Sequence, residues 1–172
     1  MNEHPGKVAA LRARAERGNA QAQYRIGVLY SDGRGVPQDE AEATAWISMA
    51  AESGYPDAQC CMGVKCEHGI GVPRDFVRAV AWYCRAAEHG DTDAYYQLGM
   101  MYALGRGVPQ DFVEAYMWMY LATSHAQDTR DRGRYRRGKA TVANCLTRAE
   151  MAGARKLAGV WTAALDRQRT TQ

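Results

Sequence analysis

The sequence predicts an all-α protein made of a repeated helix pair, and three observations carry that prediction. A seven-residue connector occurs three times, as Gly33-Arg34-Gly35-Val36-Pro37-Gln38-Asp39, Gly69-Ile70-Gly71-Val72-Pro73-Arg74-Asp75 and Gly105-Arg106-Gly107-Val108-Pro109-Gln110-Asp111, always 36 residues apart. Between the connectors, apolar residues return at helical spacing on the same positions of each copy. The chain has 172 residues, 47% of them apolar, which is enough to enclose a core and argues against disorder.

Each connector reads as the end of one helix and the start of the next. A glycine past the last turn adopts the left-handed conformation that closes a helix. Valine before proline is pushed to an extended backbone, and proline cannot continue the first helix. The aspartate then stands at the N-cap of the second helix. Asp39 with Glu42, and Asp111 with Glu114, have capping-box spacing, which Arg78 breaks in the middle copy.

In chain order, residues 7–18 read as half a repeat, because Ala15-Glu16-Arg17-Gly18 aligns with Ala51-Glu52-Ser53-Gly54 and Ala87-Glu88-His89-Gly90. Full repeats follow at 19–54, 55–90 and 91–126. In the first, an A helix is expected at about 20–31 and a B helix at about 40–52. On a wheel of about 100° per residue, Ala22, Ile26 and Tyr30 share one side of the A helix, as do Ala58, Met62 and Cys66, then Ala94, Leu98 and Tyr102. Gly27, Gly63 and Gly99 recur inside these helices at a cost of up to ~1 kcal/mol against alanine, which points to close helix approach. In the B helices, Ala43, Trp46 and Ala50 form the expected buried stripe, repeated as Ala79, Trp82, Ala86 and Ala115, Trp118, Ala122. After Gln127 the period fails. A basic, glycine-punctuated stretch leads to an apolar segment, Ala140 to Leu146, and the capping box Thr147–Glu150 opens a last helix with Met151, Leu157, Trp161 and Leu165 on its buried face. Residues 127–172 thus read as a C-terminal cap, and the whole as one domain of about eight helices.

These columns (Ala22, Ile26, Gly27, Tyr30, Gly33, Gly35, Val36, Asp39, Ala43, Trp46, Ala50, Ala51, Gly54 and their copies) closely resemble the Sel-one-like repeat of the tetratricopeptide superfamily. The resemblance covers about residues 8–127. It implies a right-handed α/α solenoid, a superhelix of antiparallel helix pairs, and a scaffold or adaptor role with binding on the concave side. The departures are Cys66 for the columnar tyrosine, Thr123 for the second alanine and Ala126 for the closing glycine.

Charge and cysteine usage narrow the function classes. The net charge of +3 is concentrated: Arg130, Arg132, Arg134, Arg136, Arg137 and Lys139 face Asp131 alone, so residues 130–139 carry +5 and the remainder −2. Such a basic patch with Tyr135 inside it could hold a nucleic acid or another polyanion; a solvated face of the cap is the plainer reading. Five cysteines, Cys60, Cys61, Cys66, Cys84 and Cys145, are an odd set crowded into the middle repeat, which fits a reducing compartment better than a disulfide framework. A Cys66–Cys84 contact across the helix pair would be oxidisable. With no apolar signal core at the start and no apolar run near the ~18 residues of a span, a cytoplasmic location is expected.

Catalytic and cofactor readings are weak. The connectors lack the Gly-Lys-Ser/Thr ending of a phosphate loop and follow helices. Cys61, Cys66 and His68 do not share one helical face, and Cys84 and His89 lie on the partner helix, so neither zinc nor any other cofactor is expected. Some members of the resembled family carry a β-lactamase-like label, but Ser31, Ser48, Ser53 and Ser124 are followed three places on by Arg34, Ala51, Pro56 and Gln127, never by the lysine of that chemistry. His4, His68, His89 and His125 have no partnered nucleophile; His89 and His125 share a column where helix-end carbonyls are within reach. The chain reads as non-enzymatic.

The expected function is therefore a protein-interaction adaptor holding a peptide or partner protein on its concave face. The wheel that locates the core puts Gln21, Tyr24, Arg25, Val28 and Asp32 on the opposite side. Their copies are Asp57, Cys60, Cys61, Val64 and His68, then Asp93, Tyr96, Gln97, Met100 and Leu104. These columns change between copies while the core columns stay fixed, and Tyr96, Met100 and Leu104 stack as an apolar stripe that the core does not require. The alternative is polyanion or nucleic-acid binding through 130–139.

Overall fold

The computed structural model describes residues 5–170, and among these every regular element is helical: α1 Pro5–Glu16, α2 Ala20–Asp32, α3 Glu40–Glu52, α4 Pro56–His68, α5 Phe76–Glu88, α6 Thr92–Leu104, α7 Phe112–His125, α8 Thr129–Ala143 and α9 Arg148–Thr170. Two compact units are present, one up to Ala86 and one from Ala87. In the first, α1 packs on α2, α2 on α3 and α3 on α4, and α5 meets α4. In the second, α6 packs on α7, α7 also holds α8 and α9, and α8 touches α6.

The connectors work as the sequence predicts, with one addition. Gly33 (φ 65°), Gly69 (72°) and Gly105 (63°) are left-handed, and their amides donate to the carbonyls of Leu29, Lys65 and Met101. The Asp39 carboxylate accepts from the amides of Ala41 and Glu42, Asp111 from those of Val113 and Glu114, and Asp75 from that of Arg78. The capping box, however, is not closed in the first copy, where Glu42 accepts from the indole of Trp46 at 3.0 Å. In all three copies the N-cap amide instead donates back to the preceding helix: Asp39 to Tyr30, Asp75 to Cys66 and Asp111 to Tyr102, at 2.8–3.0 Å. A reciprocal glutamate has no orphan donor left to satisfy, which explains why Arg78 is tolerated. The box at α9 does close: Glu150 accepts from the Thr147 amide at 2.7 Å, and the Thr147 hydroxyl accepts from the Glu150 amide at 3.3 Å.

The glycines inside the A helices mark the seam, but their partners are not the tryptophans. A β-carbon on Gly27 would lie 2.6 Å from Cγ1 of Ile47, one on Gly63 2.4 Å from Cε1 of Tyr83, and one on Gly99 2.6 Å from Cγ of Met119. Ile47, Tyr83 and Met119 form a column of their own and are buried. Trp46 and Trp82 are only half-buried. Trp46 packs on the flank of a cluster containing Val8, Ala22 and Ile26, and Trp82 on one containing Ile47, Ala58 and Met62. Trp118 is buried because Trp161 of α9 meets it edge-on at 4.9 Å and Tyr95 stacks at 5.8 Å.

Two expectations for the C-terminal part are corrected. The basic stretch lies on one continuous helix of the cap, α8, with Asp128 at its N-cap accepting from the Arg130 amide at 2.6 Å. Gly138 is not punctuation but a contact point, since a β-carbon there would lie 2.8 Å from Cε2 of Tyr96. The described residues hold nine helices, against about eight expected. On α9 the buried positions are Ala154, Ala158 and Leu165, with Met151 and Trp161 half-buried and Leu157 exposed. Small alanines bring α9 close to α7, and that register turns Leu157 to solvent.

Candidate functional site

Gly27, Gly63 and Gly99 commit one side of each A helix to its B helix, and the opposite side is divided between neighbouring helices and solvent. In the first copy Gln21, Arg25 and Asp32 are exposed, and Tyr24 and Val28 half-buried. In the second, Asp57 and His68 are exposed and Cys61 and Val64 half-buried. In the third, Asp93 and Leu104 are exposed and Tyr96, Gln97 and Met100 half-buried. Cys60 is the departure: it is buried, and its thiol acts electrostatically on both Tyr24 and Tyr83. Its column position suggested an open face, but it is enclosed.

In the first unit this face is aromatic and polar. The rings of Tyr24 and Tyr55 lie 5.4 Å apart, and burial, followed by Cys61 and Asp57, pushes the Tyr24 phenol well above its ordinary range. A hollow of about 270 Å³ opens beside them, lined by Leu11, Tyr24, Arg25, Val28, Leu29 and Arg34. Nearby is a feature that the wheel did not reveal. Lys65 of α4 is buried and ion-paired with Glu40 of α3, whose carboxylate also accepts from the Ser31 hydroxyl at 3.2 Å. Comparing columns would have exposed it, because Lys65 stands where the other copies have Leu29 and Met101, and Glu40 where they have Phe76 and Phe112. An ion pair, buried at its lysine end and partly exposed at its carboxylate, stands in these apolar columns.

In the second unit the face is shared by α6 and α8. Tyr135, fully buried, packs its ring tilted against Tyr96, with centres 5.1 Å apart, and donates to the Asp93 carboxylate at 2.8 Å. That acceptor, after burial, pushes the Tyr135 phenol up to about 12. Arg134 pairs with the same Asp93, and its guanidinium lies 5.1 Å from the Tyr96 ring centre. Tyr96 and Asp93 are thus held by α8, whereas Met100 and Leu104 remain at the edge of a hollow of about 420 Å³. Its walls are Met100, Ala103 and Leu104 of α6, Phe112 and Met119 of α7, Arg137, Thr141 and Val142 of α8, and Cys145.

The basic patch is divided by this arrangement. Arg132 donates to the Ala126 carbonyl at 2.6 Å, at the end of α7, and Arg134 is bound to Asp93. Arg130, Arg136 and Arg137 are exposed and form no ion pair among the described residues. Lys139 lies 5.4 Å from the Tyr120 ring centre; burial, then Arg136 and Arg155, pull its pKa down. His125 reaches a helix-end carbonyl, that of Leu121, at 3.0 Å. Cys66 is a buried free thiol. Among the described residues no three acidic, histidine or cysteine side chains converge as metal ligands would, and no helix is long and apolar enough to cross a membrane.

Paired helices on a 36-residue period, with a glycine seam on one side and a varied, partly apolar face on the other, define an all-α helical-repeat protein. The Sel1 repeat matches residues 20–55, 56–91 and 92–126, more than half of the sequence, and the chain belongs to the Sel1 repeat family. A Sel1 repeat protein from Oxalobacter formigenes is similar at 35% identity with a TM-score of 0.67, over 76% of this chain and 97% of that one. The protective antigen c5321 of uropathogenic Escherichia coli, which displays an SLR fold, is similar at 32% identity with a TM-score of 0.68. The match covers 83% of this chain and only 34% of that antigen. No curated protein matches the sequence. Sel1 repeats generally mediate protein–protein interaction and are typically non-catalytic.

Proposed function

We propose that the chain is a non-catalytic adaptor that holds a partner protein on the solvent side of its A helices. One observation carries this reading. Apolar groups of that side, Val28, Val64, Met100 and Leu104, stay at least partly open to solvent although the helices pack fully through their glycine seams. Exposed apolar groups beside charged ones are the usual composition of a protein-binding surface. Variation between copies suits an asymmetric ligand. The basic segment contributes less to a polyanion reading than its composition suggests, since Arg132 and Arg134 are engaged within the fold.

The test is capture from extract, with and without nuclease, by the immobilised chain, wild type against a Met100→Ser, Leu104→Ser, Val28→Ser variant. A discrete protein retained by the first and lost by the second, at unchanged melting temperature, supports the adaptor reading. Retention that disappears with nuclease, or survives the variant, opposes it.

A further inference from the structure

The hollow between α6 and α8 has an apolar wall and a basic rim with no acidic residue among its described lining. Met100, Leu104, Phe112 and Val142 supply the wall, and it opens at the exposed Leu104 and Cys145. Arg137 stands on the ridge of α8 and lines this hollow and a second one of about 530 Å³, where Arg136 and Lys139 join it. Arg136 and Arg137 have no counter-charge among the described residues, and Lys139 is crowded by Arg136 and Arg155. Like charges collected without acidic partners raise the local potential, and an incoming carboxylate would relieve it.

We propose that this site takes a peptide in which one bulky apolar side chain, filling the α6–α8 hollow, is flanked within two or three residues by Asp or Glu. The apolar group supplies desolvation, the carboxylates pair with Arg137 and Arg136, and bidentate geometry favours arginine in that role. Arg137 lines both hollows, so an acidic residue close to the anchor meets a basic side chain at the rim, and an extended peptide advances about 3.3 Å per residue. A nucleic acid fits less well, because Arg134 is tied to Asp93, Tyr96 is partly covered by Tyr135, and Phe112, the other ring of the hollow, belongs to its apolar wall.

The proposal rests on the adaptor reading and names the ligand class of one part of its surface. Random short peptides displayed on phage are selected on the full chain, then compared on Arg137→Glu and Leu104→Asp variants, both changes lying at exposed positions, with melting temperature as the control for folding. Enrichment of peptides pairing an aromatic or leucine with Asp or Glu, bound about tenfold or more weakly by each variant, is the expected result. Enriched peptides without acidic residues, or binding unaffected by both variants, would overturn this site while leaving the adaptor reading standing. No enrichment of any peptide would overturn this site, and the capture experiment above then decides the adaptor reading separately. Tighter binding of a single-stranded RNA oligomer than of any selected peptide, lost in Arg137→Glu but kept in Leu104→Asp, would replace the peptide with a nucleic acid.

Discussion

Gly63 of α4 and Tyr83 of α5 touch so closely that a β-carbon on the glycine would lie 2.4 Å from the tyrosine ring. Tyr83 is fully buried, and its hydroxyl donates to Glu67 at 2.9 Å. The middle repeat thus places a large ring where the others have Ile47 and Met119, and a small Cys66 where they have Tyr30 and Tyr102. Tyr83→Ala should cost about 3–5 kcal/mol, as other large-to-small core changes do. Trp82→Ala, at the half-buried neighbouring position, should cost clearly less, although the tryptophan column is the more conspicuous one in the sequence. Gly63→Ala should destabilise by about 1–3 kcal/mol through overpacking, outweighing the ~1 kcal/mol that alanine gains in helix propensity. Urea denaturation of the three variants gives the order directly.

Lys65 and Glu40 form the ion pair that stands in apolar columns. Removing Glu40 alone leaves the buried Lys65 ammonium without its partner; because the carboxylate is partly exposed and water can enter the gap, Glu40→Ala should cost about 1–3 kcal/mol. Replacing both by the residues of the third copy, Glu40→Phe with Lys65→Met, should recover most or all of that loss. A double-mutant cycle that proves additive would refute the coupling.

Glu150 is held below its ordinary pKa of 4.5 by the Thr147 amide and hydroxyl. A carboxylate depressed in the folded state adds stability above its unfolded pKa, and that stability is lost as pH falls through the lower folded value. The pH dependence of α9 below about 4.5 should therefore weaken in Glu150→Gln. Thr147→Ala should move the Glu150 pKa, measured by NMR titration, back towards 4.5.

Much of the fold was legible in the sequence because it lies in backbone chemistry that repeats. Left-handed glycines, the N-cap aspartates and the alanine columns each act locally and recur in register. What escaped was set by side chains meeting across helices. The wheel shows that Gly27, Gly63 and Gly99 approach something; it does not show that Ile47, Tyr83 and Met119 are the residues received. Likewise, the arginine run read as one patch, whereas Asp93 and the end of α7 engage two of its members. Tyr96 read as a free anchor because the helix that stacks on it falls outside the repeat period. For that reason Tyr96→Ala would disturb folding as well as binding, and Leu104 and Met100 are the cleaner probes.

The central claim is that the solvent side of the A helices is the partner-binding surface. Site-specific photo-crosslinking tests it most directly, with the reactive residue placed in turn at Val28, Met100 and Leu104 on A helices and at Ala45 and Ala81, exposed on B helices. Crosslinks to the same partner are expected from one or more A-helix positions and none from Ala45 or Ala81. Equal crosslinking from the B-helix positions, or crosslinks from those alone, would contradict it.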